Sequence, residues 1–191
     1  MIYQPGHYYH IFNRGAQKLE IFYEPKNYEY LLSIFQRNMD KYGVTIAAVC
    51  LMPNHYHIIL SQGEEGSIGR FLRTSFNTYV QGMNKVYRRH GTLFQGQCKV
   101  KHIDSDEYLV QVVRYVHRNP VEAGYVDDPK AWQYSNYAEW IGERNGALMD
   151  EALLRAYFQT HQQYRRFVEE YRGSDTVNQI MTYTFDKAFE R

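Results

Sequence analysis

Apolar and polar positions along this chain switch repeatedly between the period of a strand and that of a helix. Residues 7–13 alternate imperfectly and are rich in Tyr, Ile and Phe, which reads as a strand; Asn13-Arg14-Gly15 opens a loop after it. Over residues 25–41, Tyr28, Leu31, Leu32 and Phe35 recur at helical spacing, with Pro25 suited to the first turn and Gly43 placed to end the helix. Residues 44–51 are a continuous apolar run that suits a central strand. Pro53-Asn54 makes a turn, and residues 55–60 form the second arm of a hairpin. Ser67 is placed to cap a helix reaching about residue 89, with Ile68, Phe71, Leu72, Phe76, Tyr79, Val80 and Met83 as its apolar stripe. Gly91 and Gly96 bracket a loop, and residues 97–103 read as a strand. Asp104-Ser105-Asp106-Glu107 resembles a capping box; the helix after it is expected to run to about Asn119, where Pro120 stops it.

The order is strand, helix, strand, strand, helix, strand, helix. Its first six elements predict an α+β class: a ferredoxin-like antiparallel sheet with helices on one face. Beyond Gly146 the composition becomes helical and more acidic, with helices expected over residues 151–157 and 161–171 and a loosely held tail over 174–191. This divides the chain into a domain over residues 1–142 and a C-terminal helical extension and tail over 143–191.

Composition narrows the picture. At 191 residues and 44% hydrophobic, the chain can build one proper core. There is no apolar run of about 18 residues, so no membrane span is expected. The start of the chain has neither the charged nor the apolar stretch of a signal peptide. Cys50 and Cys98 lack metal-ligand spacing and suit a reducing, cytoplasmic setting as small buried residues. A net charge of +1 argues nothing about nucleic acid, but its distribution does. From Gly66 to Ile103 there are seven basic residues (Arg70, Arg73, Lys85, Arg88, Arg89, Lys99 and Lys101) and no acid, whereas residues 122–191 hold twelve acids against eight bases. The middle of the chain is therefore a candidate phosphate-binding surface, with a solvated helix face as the plainer alternative. Most of the nineteen tyrosines are expected to straddle the core boundary, with some available to stack on bases.

The chemistry centres on His55-Tyr56-His57. On a strand, alternate side chains share a face, so both imidazoles project together and can hold a divalent metal beside a phosphate. A hydrogen-bonded structural pair, or plain surface, is the alternative. Tyr115, on the last predicted helix, supplies a phenol that can attack that phosphate. Mg²⁺ or Mn²⁺ prefers oxygen, so two imidazoles call for an oxygen ligand as well. Asn119, four residues after Tyr115, faces the same way on a helix and can supply it; capping the helix before Pro120 is the other reading. Tyr115 and Asn119 flank the stripe of Leu109, Val112, Val113 and Val116, while His117 points elsewhere, toward a DNA or structural contact.

Two motifs carry a family resemblance: Pro53-Asn54-His55-Tyr56-His57-Ile58-Ile59-Leu60 and, about sixty residues later, Arg114-Tyr115-Val116-His117-Arg118-Asn119-Pro120-Val121-Glu122-Ala123-Gly124. With His7-Tyr8-Tyr9-His10-Ile11-Phe12-Asn13-Arg14-Gly15 and Gly91-Thr92-Leu93-Phe94-Gln95-Gly96, they make residues 5–140 resemble the single-tyrosine HUH transposases, most of all the REP-associated tyrosine transposases. The resemblance implies an RRM-like HUH fold and strand cleavage through a 5′-phosphotyrosine on Tyr115. It implies Mg²⁺ or Mn²⁺ on His55, His57 and Asn119, where relatives carry a glutamine in place of the asparagine. The implied partner is single-stranded or hairpin DNA, handled by a monomer or a homodimer. Arg14, Arg114 and Arg118 join the basic residues of the acid-free stretch as candidate DNA contacts, with surface salt bridges as the alternative. Phe94 and Trp132 are candidates to stack on an unpaired base, and Trp132-Gln133-Tyr134-Ser135-Asn136-Tyr137 matches a family motif assigned to packing. Two rival readings remain: a non-catalytic nucleic-acid-binding module with an RRM-like fold, using His10, Phe12 and Tyr56 as its surface, and a metal-dependent hydrolase without a covalent step.

Overall fold

Strand β1 (Tyr8–Arg14) leads through a short loop to helix α1 (Pro25–Lys41), then to the hairpin of β2 (Val44–Met52) and β3 (His55–Gln62). Helix α2 (Ile68–Val86), strand β4 (Lys99–Ile103) and helix α3 (Asp106–Glu122) follow, and the short helices α4 (Tyr137–Trp140), α5 (Glu151–Tyr157) and α6 (His161–Glu169) complete the order. This is a computed structural model, and the structure describes residues 2–171 and 187–189. Most of the expected C-terminal tail thus lies outside the described residues. The sheet runs β2-β3-β1-β4 with every neighbouring pair antiparallel, the ferredoxin-like order.

Local chemistry sets the boundaries. Pro25 opens α1, and Asn27 Oδ1 accepts from the Glu24 N–H at 3.2 Å to close a capping box. Gly43 ends that helix at φ +54° with Gly66 Cα only 3.1 Å from where a Cβ would stand, so a side chain there would be both strained and crowded. At Gly15 a Cβ would fall 1.9 Å from the Leu19 carbonyl oxygen, which ties the Asn13-Arg14-Gly15 motif to one close backbone crossing. Ser67 caps α2 and Ser105 caps α3.

Pro120 does not stop α3, which continues through Glu122. Proline removes a single donor, while the Asn119 carbonyl still accepts from Ala123 N at 3.0 Å and the Pro120 carbonyl from Tyr125 N at 2.9 Å. The helix closes one turn later, beside Gly124 at φ +73°.

The sheet separates two cores. Helices α1 and α2 cover one face, where Leu31, Ile34, Phe35 and Phe71 meet Ile11, Ile58 and Leu60. The seventh element, α3, covers the other, laying Val112, Val113 and Val116 on Ala48, Cys50 and Ile59. Strand β2 is buried on both sides, which is why it reads as an unbroken apolar run. From the C-terminal helices, Trp140, Tyr164 and Val168 enter this second core at 2% exposure or less.

As an edge strand, β2 would leave N–H and C=O groups unpaired. The segment at 132–136 takes them: Leu51 N donates to the Tyr134 carbonyl at 3.0 Å and Val49 N to Asn136 Oδ1 at 2.8 Å, and Trp132 Nε1 donates to the Leu51 carbonyl at 3.0 Å. The register shift at Ala47 frees a carbonyl that Trp140 Nε1 binds at 2.8 Å. The aromatic motif from Trp132 to Tyr137 is thus a packing element.

Candidate metal and nucleophile site

The site occupies the sheet face beneath α3. His55 and His57, two residues apart on β3, both project to this side. Register places Arg14 of β1 opposite His55 and Phe12 opposite His57, while Lys99 and Lys101 of β4 pair with Phe12 and His10. Arg14, Phe12, His10, Lys99 and Lys101 therefore share the histidine face.

From above, α3 presents Tyr115 and Asn119, one turn apart. Asn119 Oδ1 stands 3.0 Å from His55 Nε2, and the Tyr115 ring meets the His57 ring edge-on, with centroids 5.4 Å apart at 84°. Asn119 spends its backbone carbonyl inside the helix, which runs on past it, so its side chain is not a terminal cap. The structure brings together the four residues singled out in the sequence: His55, His57, Tyr115 and Asn119.

Burial tunes the imidazoles. His57 is fully buried, and desolvation, with His10 and His55 adding to it, holds its pKa well below the usual value. Desolvation lowers His55 to about 4, against a hydrogen bond to Asn119 that raises it. Both rings are neutral at pH 7, the protonation state a metal requires.

His55 also has one acceptor too many. Asn54 Nδ2 donates to the Lys18 carbonyl, which turns Asn54 Oδ1 toward His55 Nδ1 at 2.7 Å. A neutral imidazole has one N–H. Given to Asn54, that proton leaves the Nε2 lone pair facing the Asn119 amide oxygen. A cation would satisfy this arrangement, as would the Asn119 amide turned to present its N–H. Among the described residues no three His, Cys, Asp or Glu side chains gather. The donor set is therefore two imidazoles and an amide oxygen, which fits a hard divalent ion better than imidazoles alone.

The ten basic candidates divide into three groups. Arg14, Lys99 and Lys101 flank the histidines. The Arg14 guanidinium bonds Gln95 Oε1 at 2.6 Å and lies 4.4 Å over the Phe189 ring, and Lys101 Nζ donates to Tyr108 Oη at 2.8 Å. Arg70, Arg73, Lys85, Arg88 and Arg89 belong to α2 and the turn after it, across the sheet from the histidines. Arg73 lines a cleft of about 1170 Å³ with Phe76 and Asn77, and Lys99 of β4 lines the same cleft. Arg114 and Arg118, expected as phosphate contacts, are held by the C-terminal helices instead. Arg114 is buried 4.4 Å over the Phe167 ring, and Arg118 donates to the Val168 carbonyl at 3.2 Å and pairs with Glu122 at 2.9 Å. They sit on the side of α3 that faces α6, where they hold the C-terminal helices. Phe94 is 7% exposed and packs edge-on against Tyr56 and Phe76, which makes it core and no stacking platform.

The sequence reading passed over two residues. Asn54 reads as turn chemistry, yet it orients His55. His10 reads as a sheet aromatic, yet its Nε2 lies 3.0 Å from His57 Nδ1. Its period-2 spacing with Phe12 and Arg14 is visible in the sequence, but the β1–β3 register that sets it beside His57 is not.

Comparison with known proteins follows the same lines. The family model described as "Transposase IS200 like" matches residues 3–119. A Haemophilus influenzae protein named for the REP-associated tyrosine transposases is 25% identical over 115 residues, which are 55% of this chain and 65% of that one. The chain thus spans under two thirds of the length of that curated relative. A solved REP-associated tyrosine transposase bound to a REP hairpin superposes with a TM-score of 0.64 at 15% identity, covering 80% of this chain and 93% of the other. At that identity the likeness establishes the shared fold.

Proposed function

The chain belongs to the IS200-like transposase family, and on that premise we propose that it cleaves and rejoins single-stranded DNA next to a hairpin, with Tyr115 as nucleophile. The observation that carries the reading is the pairing of Tyr115 with His57 and of Asn119 with His55 across one helical turn.

In the cleavage step the Tyr115 phenol oxygen attacks the scissile phosphorus. A Tyr–O–P bond forms and the P–O3′ bond breaks. The phenol proton is lost and the departing 3′ oxygen gains one, leaving a 5′-phosphotyrosine and a free 3′-hydroxyl. An incoming 3′-hydroxyl reverses the chemistry, so the covalent bond carries the energy of the cut linkage and no ATP is needed. His55, His57 and Asn119 would hold Mg²⁺ or Mn²⁺, which when bound polarises phosphate oxygens and stabilises charge on the leaving oxygen. Arg14, Lys99 and Lys101, on the strands to one side of the histidines, hold the DNA backbone. Packing of α3 on the sheet fixes Tyr115 relative to His57 and spares the entropy of positioning it. The hairpin in the relative's bound structure supports a folded DNA partner.

The test is incubation with Mg²⁺ and single-stranded oligonucleotides from the flanks of its own gene, scoring a covalent protein–DNA band. Wild type should give the band, and Tyr115→Phe should lose both band and cleavage while retaining DNA binding. Unchanged cleavage by Tyr115→Phe overturns the reading.

A further inference from the structure

Resting on the metal-and-tyrosine reading above, we propose that His10 is a positioning residue for the site: its Nε2 accepts the His57 Nδ1 proton and fixes the tautomer in which His57 Nε2 carries the lone pair for a divalent cation.

The two ring nitrogens are 3.0 Å apart, and the rings lie edge to edge and nearly coplanar, with centroids 5.1 Å apart and planes 19° from parallel. Both rings are sealed from solvent, His10 at 1% exposure and His57 at 0%. Two neutral imidazoles in such a contact share one proton. On His10 Nε2, it obliges His57 to carry its own proton on Nε2, the nitrogen a metal needs. On His57 Nδ1, it leaves Nε2 basic, and His10 then carries its N–H on Nδ1.

Filling this volume calls for nothing polar. His10 lies beside the Phe12 ring, centroids 4.9 Å apart and planes 33° apart, in apolar company. Instead the chain buries an imidazole whose Nδ1 has no hydrogen-bond partner among the described residues, a cost in free energy. The contact with His57 offsets that cost. Metal-bound histidines commonly donate their second N–H to a carboxylate, a carbonyl or water; here the acceptor is an imidazole from the neighbouring strand.

Calorimetric titration of the full chain with Mn²⁺ at neutral pH tests this, with a thermal melt of each variant. His57→Ala should abolish binding. His10→Phe should weaken it about 10- to 100-fold while still melting cooperatively, and His10→Gln, whose amide oxygen can accept the proton, should recover most of the loss. Wild-type affinity in His10→Phe alongside lost binding in His57→Ala overturns the role of His10 and leaves the metal site standing. Undiminished binding in His57→Ala overturns the metal reading and this proposal with it. A long-range proton–nitrogen spectrum of the wild-type histidines at saturating Mg²⁺ decides the matter even where His10→Phe does not fold. His57 should be in the Nδ1–H form, and an Nε2–H form overturns the proposal.

Discussion

Buried histidines lie on both sides of α3, and they are wired differently. On the side toward α6, His117 is fully enclosed. Asn136 Nδ2 donates to the carbonyls of Ala47 and Leu148, which turns Asn136 Oδ1 toward His117 Nε2 at 2.9 Å. Nε2–H donates to that oxygen, and Nδ1 accepts from Tyr164 Oη at 2.5 Å. One donor and one acceptor complete a neutral imidazole. On the side toward the sheet, His55 faces amide oxygens at both nitrogens, and His57 touches a second imidazole. The same residue type, kept neutral by the same burial, has one donor and one acceptor as neighbours on one side and faces amide oxygens or another imidazole on the other. The balance of donors and acceptors separates the roles where burial does not.

Substitution should split the two sides cleanly. The largest effect is expected from His57→Ala. Loss of the proposed metal ligand would remove several kcal/mol of transition-state stabilisation, so cleavage measured on labelled oligonucleotide should fall on the order of 10³-fold. The urea midpoint should move far less. His117→Ala should do the opposite. It strands Tyr164 Oη and Asn136 Oδ1 in a buried void and should cost about 2–4 kcal/mol in urea unfolding, with cleavage per folded molecule retained. Equal activity losses in the two variants would abolish the distinction between the sides.

Acid sharpens the comparison. Desolvation lowers His117 to about 4 and His10 to about 3. The unfolded chain binds these protons near pH 6.5 and the folded chain does not. Stability is therefore full above about 6.5 and falls as pH drops toward the folded values, by up to about 1.4 kcal/mol per pH unit for each such histidine. Urea melts at pH 7, 6 and 5 should show the slope, and His117→Gln should flatten it by one proton. The smallest effect should come from Arg118→Ala, about 0.5 kcal/mol from a partly exposed pair with Glu122. Its DNA affinity by fluorescence anisotropy should stay at wild type while that of Arg14→Ala falls. Equal losses would return Arg118 to the DNA surface.

The sequence carried the elements well because their signals are local. Pro25, Gly43 and Ser67 mark ends by backbone chemistry, and α1 runs over Pro25–Lys41 as expected. The pairing of His55 with His57 and of Tyr115 with Asn119 was legible because each needs only one element's period. What the sequence could not supply required two elements at once. The acid-free stretch reads as one surface, whereas the fold sets Lys99 and Lys101 on the histidine face of β4 and the α2 basic residues across the sheet, with Arg73 and Lys99 meeting at one cleft. Arg114 and Arg118 read as phosphate contacts or surface salt bridges because nothing local announces that α6 folds back over them. Pro120 reads as a stop because its lost donor is local, whereas the bonds that carry α3 past it involve the residues that follow.

The covering of β2 has an optical consequence. The chain has two tryptophans, and each gives its indole N–H to a carbonyl of that one strand: Trp132 to Leu51 and Trp140 to Ala47. Intrinsic fluorescence therefore reports on a single seam, the junction of the sheet with everything after α3. An emission shift on denaturation dates the opening of that seam, and comparison with a circular-dichroism melt tells whether it parts before the rest of the molecule or together with it.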